Sequence, residues 1–274
     1  MSAGVEERAF AKLNLILNVG RRRVDGLHPL GSVFASIELN DDVRVQPAEV
    51  DGVDCAGIDG PNLAAAAVAA IRRRLPELPP LRVQIDKRIP VAAGLGGGSA
   101  DAAAVLRAAN RIAGDPLDVA ALRELGAELG SDVPSQVDPR HALVSGVGEV
   151  VEPIQLPEFA ALLVPQSPGL STAEVYAEFD RLGGGRRDVD LAALRSLTRE
   201  MCLLPVLSND LQPAALALRP ELGPVLASLR GAGALGALVS GSGPTCFALF
   251  EDRAAAETAA ARFEGALVTS LRRC

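Results

Sequence analysis

The stretch Gly94-Leu95-Gly96-Gly97-Gly98-Ser99 follows a strand pattern at Leu81–Ile89 and opens a helical pattern at Ser99–Ala113. Strand, glycines and helix start, in that order, make an anion site. Glycines let the backbone come close to the ligand, and the unpaired N–H groups of the first helical turn face it. The helix dipole adds about 0.3–1 kcal/mol for a negative charge placed there. A plain turn does not need four glycines within five residues. The loop is not a Walker A motif, because no Lys-Ser/Thr pair follows the glycines. Gly231, Gly233 and Gly236 do match G-x-G-x-x-G, but a helix precedes them and a strand follows, the reverse of a dinucleotide fold. No H-R-D or D-F-G occurs, so protein-kinase signatures are absent.

Three other positions carry groups that could act on a phosphorylated ligand. Lys12, one of only two lysines, shares a strand face with Asn14. By itself it is equally a solubility lysine on an edge strand. Asp132 stands beside Pro134 at a helix end, where aspartates usually cap or turn the chain. His28 and His141 are the only histidines, and a lone histidine is more often structural than a ligand; His141 reads as surface.

These groups need elements to hold them. Phe10 to Val19 alternates with period two, Leu13, Leu15, Leu17 and Val19 on one face and Lys12, Asn14, Ile16 and Asn18 on the other, which predicts a half-buried strand. Leu30–Leu39 and Asp42–Gln46 read as two further strands, and Pro61–Leu75 as an Ala-rich helix with Pro61 in its first turn. A second helix carries Leu122, Leu125 and Leu129, and Ser131–Pro134 breaks it; strands at Ala142–Val144 and Val150–Ile154 follow. Beyond Pro157 the pattern gives a strand at Ala160–Val164 and helices near Ala173–Arg181, Leu191–Cys202, Leu211–Leu218 and Glu221–Arg230. It then gives strands at Gly236–Val239 and Cys246–Phe250 around the turn Gly241–Pro244. A helix at Arg253–Phe263 and a strand near Ala266–Leu271 end the chain. Gly183–Gly185 reads as a mobile surface loop. The class is α+β, in two domains, residues 1–156 and 157–274.

Composition narrows the setting. A length of 274 residues that are 49% hydrophobic and 22% charged supports a sizeable core in an ordinary globular chain. A net charge of −7 argues against nucleic acid and anionic membrane as partners. The clusters Arg21–Arg23 and Arg72–Arg74 sit among acidic residues and read as solvated surface. Cys55, Cys202, Cys246 and Cys274 form no C-x-x-C pair, which excludes the common zinc patterns and a disulfide scaffold. With no signal-peptide layout at MSAGVEERAF, a reduced cytoplasmic setting is expected.

The motifs together resemble the GHMP kinases. Pro90 followed by Gly94-Leu95-Gly96-Gly97-Gly98-Ser99 is similar to that family's P-x-x-x-G-L-G phosphate loop. Ala11-Lys12-Leu13-Asn14-Leu15, Asp25-Gly26-Leu27-His28, Leu129-Gly130-Ser131-Asp132-Val133-Pro134, Asn209-Asp210-Leu211-Gln212-Pro213 and Gly241-Ser242-Gly243-Pro244-Thr245 match further segments in chain order. The version with Gly96–Gly98 and Asp25–His28 resembles the isoprenoid-pathway branch, which acts on a cytidine-diphosphate-linked polyol; relatives that phosphorylate mevalonate, homoserine or sugars lack the Asp25–His28 segment. A catalytically dead nucleotide-binding regulator is the alternative of a different class, and retention of Lys12 and Asp132 argues against it.

What the resemblance implies is an ATP- and Mg²⁺-dependent kinase of two domains with its site in the cleft between them. Lys12 would orient the acceptor hydroxyl and Asp132 would take its proton. Asn62, Pro90, Gly94, Leu95, Gly96, Gly97, Gly98 and Ser99 would hold ATP. Asn14, His28, Thr172, Tyr176, Ser242 and Gly243 would contact the other substrate, with no dedicated metal ligands. The family usually has Tyr where Leu27 stands, so the cytosine would stack on one side only, against Tyr176, the only tyrosine.

Overall fold

A computed structural model describes residues 4–56, 62–199 and 204–274. In chain order the first elements are β1 (Val5–Val19), β2 (Leu30–Pro47), β3 (Gly52–Cys55), α1 (Leu63–Arg74), β4 (Leu81–Asp86) and α2 (Gly97–Ile112). Next come α3 (Val119–Leu129), α4 (Val133–Val137), β5 (Ala142–Gly146), β6 (Val150–Pro153), β7 (Ala160–Val164), α5 (Thr172–Arg181) and α6 (Leu191–Arg199). The chain ends with β8 (Ser208–Asn209), α7 (Gln212–Leu218), α8 (Leu222–Gly231), β9 (Gly236–Val239), β10 (Cys246–Phe250), α9 (Arg253–Ala260) and β11 (Leu267–Ser270).

Two compact units are built from interleaved stretches: residues 1–11, 39–89 and 96–139 in the first, 12–38, 90–95 and 140–274 in the second. Both β1 and β2 contribute residues to each unit.

In the first unit β4 pairs antiparallel with the C-terminal part of β2, from Asp42↔Asp86 to Pro47↔Leu81, and parallel with β3. Helices α1, α2 and α3 pack with these strands around Val43, Val45, Val83, Ile71 and Leu106. Small residues dominate the contact, Ala64, Ala67 and Ala70 on α1 and Ala100, Ala103 and Ala104 on α2, so the helix axes approach closely. Arg107 of α2 spans three segments. Its guanidinium donates to Glu7 Oε2 (2.9 Å), to the Arg8 carbonyl (2.9 Å) and to the Gln136 carbonyl (2.7 Å). Burial lowers its pKa and the Glu7 carboxylate opposes that shift.

The second unit holds an antiparallel sheet of order β11-β7-β10-β9, with α8 and α9 packed on it over Leu162, Leu222, Leu226, Val239 and Phe250. Here the N-terminal part of β2 pairs with β5, which pairs with β6, and β1 pairs parallel with the short β8 at Ile16↔Ser208 and Leu17↔Asn209. A third cluster, Leu17, Val19, Val175, Phe179, Leu211 and Ala214, seats α5 and α7.

Several expectations need correction. β1 starts at Val5, and from Ala9 to Val19 it is buried on both faces, polar residues included. The two strands expected at Leu30–Leu39 and Asp42–Gln46 are one, β2, because the buried Asp41 finds partners inside the unit: its Oδ1 accepts the Arg88 and Ile89 N–H groups at 2.5 and 2.8 Å. Pro134 does not break the chain but occupies the first turn of α4, where its missing N–H costs nothing. The strands β3 and β8 were not expected. Gly183–Gly185 is tied down, with the Gly184 N–H on the Phe179 carbonyl (2.9 Å) and the Arg186 N–H on the Val19 carbonyl (2.8 Å). Arg72 is held by the Leu78 carbonyl (2.6 Å) and Asp51 (2.6 Å) rather than merely solvated. Pro61 and Cys202 lie outside the described residues.

His141, expected at the surface, is 1% exposed. Its Nδ1 accepts the Ser36 N–H at 3.1 Å, which leaves the proton on Nε2, donated to the Arg272 carbonyl at 2.8 Å. Burial lowers its pKa, with the Arg272 carbonyl opposing. The folded state therefore prefers the neutral ring, and the unfolded chain binds the extra proton. Stability should be fully present above the ordinary value of 6.5 and fall as pH drops below it. Denaturant melts across that range should show the fall in the native chain and a flatter profile in His141→Gln; equal slopes would rule His141 out as the source.

Candidate active site

The polar face of β1 carries a buried ammonium. Lys12 is 5% exposed and lies among apolar neighbours, its Nζ 4.9 Å from the centre of the Phe34 ring. A buried charge needs partners. Nζ donates to Asn14 Oδ1 at 2.6 Å, Asn14 Nδ2 donates to Ser32 Oγ at 3.0 Å, and Ser32 Oγ donates to the Ile16 carbonyl at 2.6 Å. Each side chain thus has its orientation set by the next. The Lys12 N–H also donates to the Leu95 carbonyl at 3.0 Å, which ties the strand to the entry of the glycine loop.

Opposite lies the turn between β9 and β10. Ser240 Oγ donates to the Gly94 carbonyl at 3.0 Å, and the Thr245 N–H donates to the Ala93 carbonyl at 3.3 Å. Gly94 has φ +75°, and a Cβ there would fall 2.2 Å from the Ser240 carbonyl oxygen. No other residue fits. Asn209 shapes the same turn from below: its Nδ2 donates to the carbonyls of Val239 (2.8 Å) and Gly241 (2.7 Å), while its Oδ1 accepts the Leu211 N–H (2.9 Å). Asp210 then accepts the Val19 N–H and both arms of Arg186 at 2.6 and 2.8 Å. Ser242 shares a hydrogen bond of 3.0 Å with Thr172 at the start of α5. Tyr176 stands one turn further on, its ring 5.1 Å from that of His28. Lys12, Asn14, Gly94, Leu95, Ser242 and Gly243 are therefore grouped in the second unit, joined to His28 and Tyr176 through Thr172 and α5. Pro90 is half-buried in this unit, and Leu27 is half exposed.

The first unit holds the helical end of the loop. α2 begins after Gly96, and Ser99 lies in its first turn. Beneath it the other lysine makes a buried ion cluster: Lys87 Nζ lies 2.5 Å from Asp41 Oδ2 and 2.7 Å from Asp101 Oδ2. A Cβ on Gly97 would meet Ile89 at 2.9 Å and Lys87 Nζ at 3.3 Å, so the loop rests directly on this cluster. Burial pushes the Asp101 carboxyl up to about 7, with Lys87 acting against it. Burial acts to lower the Lys87 pKa, but the carboxylates of Asp101 and Asp41 outweigh it and leave the ammonium raised. Asn62 caps α1, accepting the Ala64 N–H at 2.8 Å, and borders an open groove of about 730 Å³ lined also by Val53, Cys55, Ala65 and Val68. Asp132 is half-buried at the N-cap of α4 without capping it through its side chain. Asp41, Asp101, Ser240 and Asn209 were not singled out from the sequence as functional. Only the rarity of lysine pointed toward Lys87.

Comparison with known proteins gives the family. Residues 62–138 match the GHMP kinases N terminal domain and residues 188–268 the GHMP kinases C terminal. The 4-diphosphocytidyl-2-C-methyl-D-erythritol kinase of Thermobifida fusca is 43% identical, over 95% of this chain and 92% of its own length. That of Geobacter sulfurreducens is 40% identical over 92% of each. The chain belongs to the 4-diphosphocytidyl-2-C-methyl-D-erythritol kinase family. A crystal structure of 4-(cytidine 5'-diphospho)-2C-methyl-D-erythritol kinase superposes with a TM-score of 0.83 at 34% identity, covering 98% of this chain and 100% of the other. Homoserine kinase from Cytophaga hutchinsonii, with a TM-score of 0.75 at 18% identity, shares the fold. The chain is thus a two-domain α+β GHMP kinase, an ATP-dependent small-molecule kinase, and among its described residues no helix is long and apolar enough to cross a membrane.

Two substitutions test the loop. Gly94→Ala should cost more stability than Gly114→Ala, which has φ +87° but open space around it and pays only the left-handed strain of about 1–2 kcal/mol. Equal losses in chemical denaturation would mean that the contact with Ser240 does not matter. Lys87→Met should strand two buried carboxylates and lower stability by about 3–5 kcal/mol, read by the same melts.

Proposed function

We propose that the chain transfers the γ-phosphoryl group of ATP to the 2-hydroxyl of 4-diphosphocytidyl-2-C-methyl-D-erythritol, in the non-mevalonate route to isoprenoid precursors. The observation that carries this reading is the buried Lys12 ammonium, aimed by Asn14 and Ser32 and held against the glycine loop through Leu95. An ammonium fixed in a site of low dielectric acts strongly on charge that develops at the acceptor and transferred oxygens, without reorganising during the reaction. Asp132 is the carboxylate that accepts the hydroxyl proton. Its half-buried place at the start of α4 leaves it reachable.

For ATP, the N–H groups from Gly96 to Ser99 at the start of α2 hold phosphate oxygens, supported by Gly94, Leu95 and Pro90 leading into the loop. The groove beside Asn62 has the size of a nucleoside pocket. Among the described residues no group of three or more His, Cys, Asp or Glu side chains could hold a metal ion. The residues fit a Mg²⁺ ion carried in on the ATP phosphates with water ligands, and the Ser99 hydroxyl in the first turn of α2 would be the protein group nearest in kind. When bound, the ion would neutralise phosphate charge. Asn14, Thr172, Ser242 and Gly243 contact the polyol diphosphate, and Tyr176 with His28 forms the base site, Leu27 adding apolar contact. The thiols of Cys55, Cys246 and Cys274 are free, which suits a cytoplasmic enzyme acting on small molecules.

The test is ADP release with ATP, Mg²⁺ and 4-diphosphocytidyl-2-C-methyl-D-erythritol. Turnover should fall about 10²–10⁴-fold in Asp132→Ala and about 10²–10³-fold in Lys12→Ala, with both variants folded by circular dichroism. Retained turnover in either would remove that residue from its role. Absence of turnover in the native chain, with ATP still bound, would send the acceptor assignment elsewhere in the GHMP kinases.

A further inference from the structure

Among the described strands β8 is the shortest, and it lies parallel to β1 at Ile16↔Ser208 and Leu17↔Asn209. It is fastened there. The Asp210 N–H donates to the Leu17 carbonyl at 2.9 Å, and the Asp210 carboxylate accepts the Val19 N–H at 2.9 Å. β1 is also the strand that carries Lys12. From this anchorage Asn209, 7% exposed, reaches the turn after β9. Its Nδ2 gives one hydrogen to the Val239 carbonyl (2.8 Å) and the other to the Gly241 carbonyl (2.7 Å), while its Oδ1 takes the Leu211 N–H (2.9 Å). An ionised Asp of the same shape has no donor and a serine hydroxyl has one, so the residue type matters. What this clamp holds lies close to the ammonium. Gly241 has φ +55°, and a Cβ there would fall 3.1 Å from Asn14 Oδ1 and 3.3 Å from Lys12 Nζ. The turn therefore lies against the hydrogen bond between Lys12 and Asn14. Gln212 holds the same end of β9, accepting the Val239 N–H at 3.0 Å, but that bond ends on Val239 and not on Gly241.

We propose that Asn209 is a positioning residue for phosphoryl transfer that acts through Lys12, by keeping the Gly241 turn closed over the Lys12–Asn14 pair. The inference rests on the role given to Lys12 above. Without the amide, the Val239 and Gly241 carbonyls lose a buried donor, and the turn has to move outward to find water for them. Water then also reaches Nζ. The ammonium is screened by the higher local dielectric and is no longer confined to one direction, so it stabilises developing charge less. Nothing in this sequence of effects touches the nucleotide, so the loss belongs to kcat and not to the KM for ATP.

The experiment is a double-mutant cycle in the ADP-release assay, with kcat and the KM for ATP measured in the native chain, Asn209→Asp, Lys12→Ala and the double variant. Asn209→Asp keeps the volume and the acceptor for the Leu211 N–H but removes both donors. In the native background it should lower kcat by about ten- to a hundredfold, the loss expected of a misplaced group, and leave the KM for ATP within about twofold. In the Lys12→Ala background it should change kcat by less than about twofold, because no ammonium is left to position. Gln212→Ala should melt earlier than the native chain yet keep its kcat within about twofold. Equal kcat losses in both Lys12 backgrounds, a loss carried by the KM for ATP, or a native kcat in Asn209→Asp would each make Asn209 a structural residue and overturn the inference. If Asn209→Asp does not fold by circular dichroism, Asn209→Ser takes its place in the cycle; one donor remains, so its kcat loss should be smaller but must still vanish without Lys12. Full turnover in Lys12→Ala alone would overturn the reading of Lys12 itself, a failure visible before any Asn209 variant is made.

Discussion

A positive charge buried in a strand is the constraint around which the second unit is organised. Lys12 cannot keep its ammonium away from water unless partners hold it, and the partners cannot be mobile. Asn14 on the same strand face and Ser32 on β2 supply them, and the last hydrogen bond of the series ends on the Ile16 carbonyl. The series needs β1 and β2 to keep their register, which the buried Leu13, Leu15, Val33 and Ala35 enforce from the surrounding core. The glycine turn at Gly241 comes so close that a Cβ there would lie 3.3 Å from Lys12 Nζ. Small residues at Gly94 and Gly241 are consequences of that crowding.

The first unit solves a similar problem with two carboxylates and one ammonium. Lys87, Asp41 and Asp101 carry a net negative charge if all are ionised, directly under the glycine loop proposed above to hold phosphate. Burial raises the Asp101 pKa to about 7, so its carboxyl is protonated in part near neutral pH and that conflict is reduced. Asp41 accepts hydrogen bonds from two backbone N–H groups and from Lys87. The cluster thereby fixes the turn from β4 into the loop, while Arg107 fixes the far side of α2 against Glu7 and the Gln136 carbonyl. The start of α2 and the far end of that helix are thus both fixed by side chains buried in the first unit.

Local patterns were legible wherever a period or a breaker carried the information. The strands at Ala160–Val164, Gly236–Val239 and Cys246–Phe250 lie where alternation and turn residues put them, and the helices of the second half shift by only a residue or so at their starts. The misreadings share a cause. Asn40-Asp41-Asp42 looks like a turn, and becomes mid-strand only because Lys87 and two amides from β4's end satisfy Asp41. His141 looks like a solvated residue, and is buried because the Ser36 N–H and the Arg272 carbonyl, far apart in the chain, meet its two nitrogens.

The sequence by itself determined the chemistry available: the run of glycines ahead of a helix, the scarcity of lysine, and the ordered motifs from Ala11 to Thr245 that identify a GHMP kinase. Those are properties of residue type and spacing, which one dimension records. Tertiary structure alone decided which polar groups are partners. That Lys12 points at Asn14, that Asn209 holds the Gly241 turn, and that Asp180 stands against His28 depend on polar contacts between residues up to 152 positions apart, as for His28 and Asp180. Burial makes those pairings obligatory, because a polar group out of water must find its partner within the protein. No local pattern specifies which one it will be.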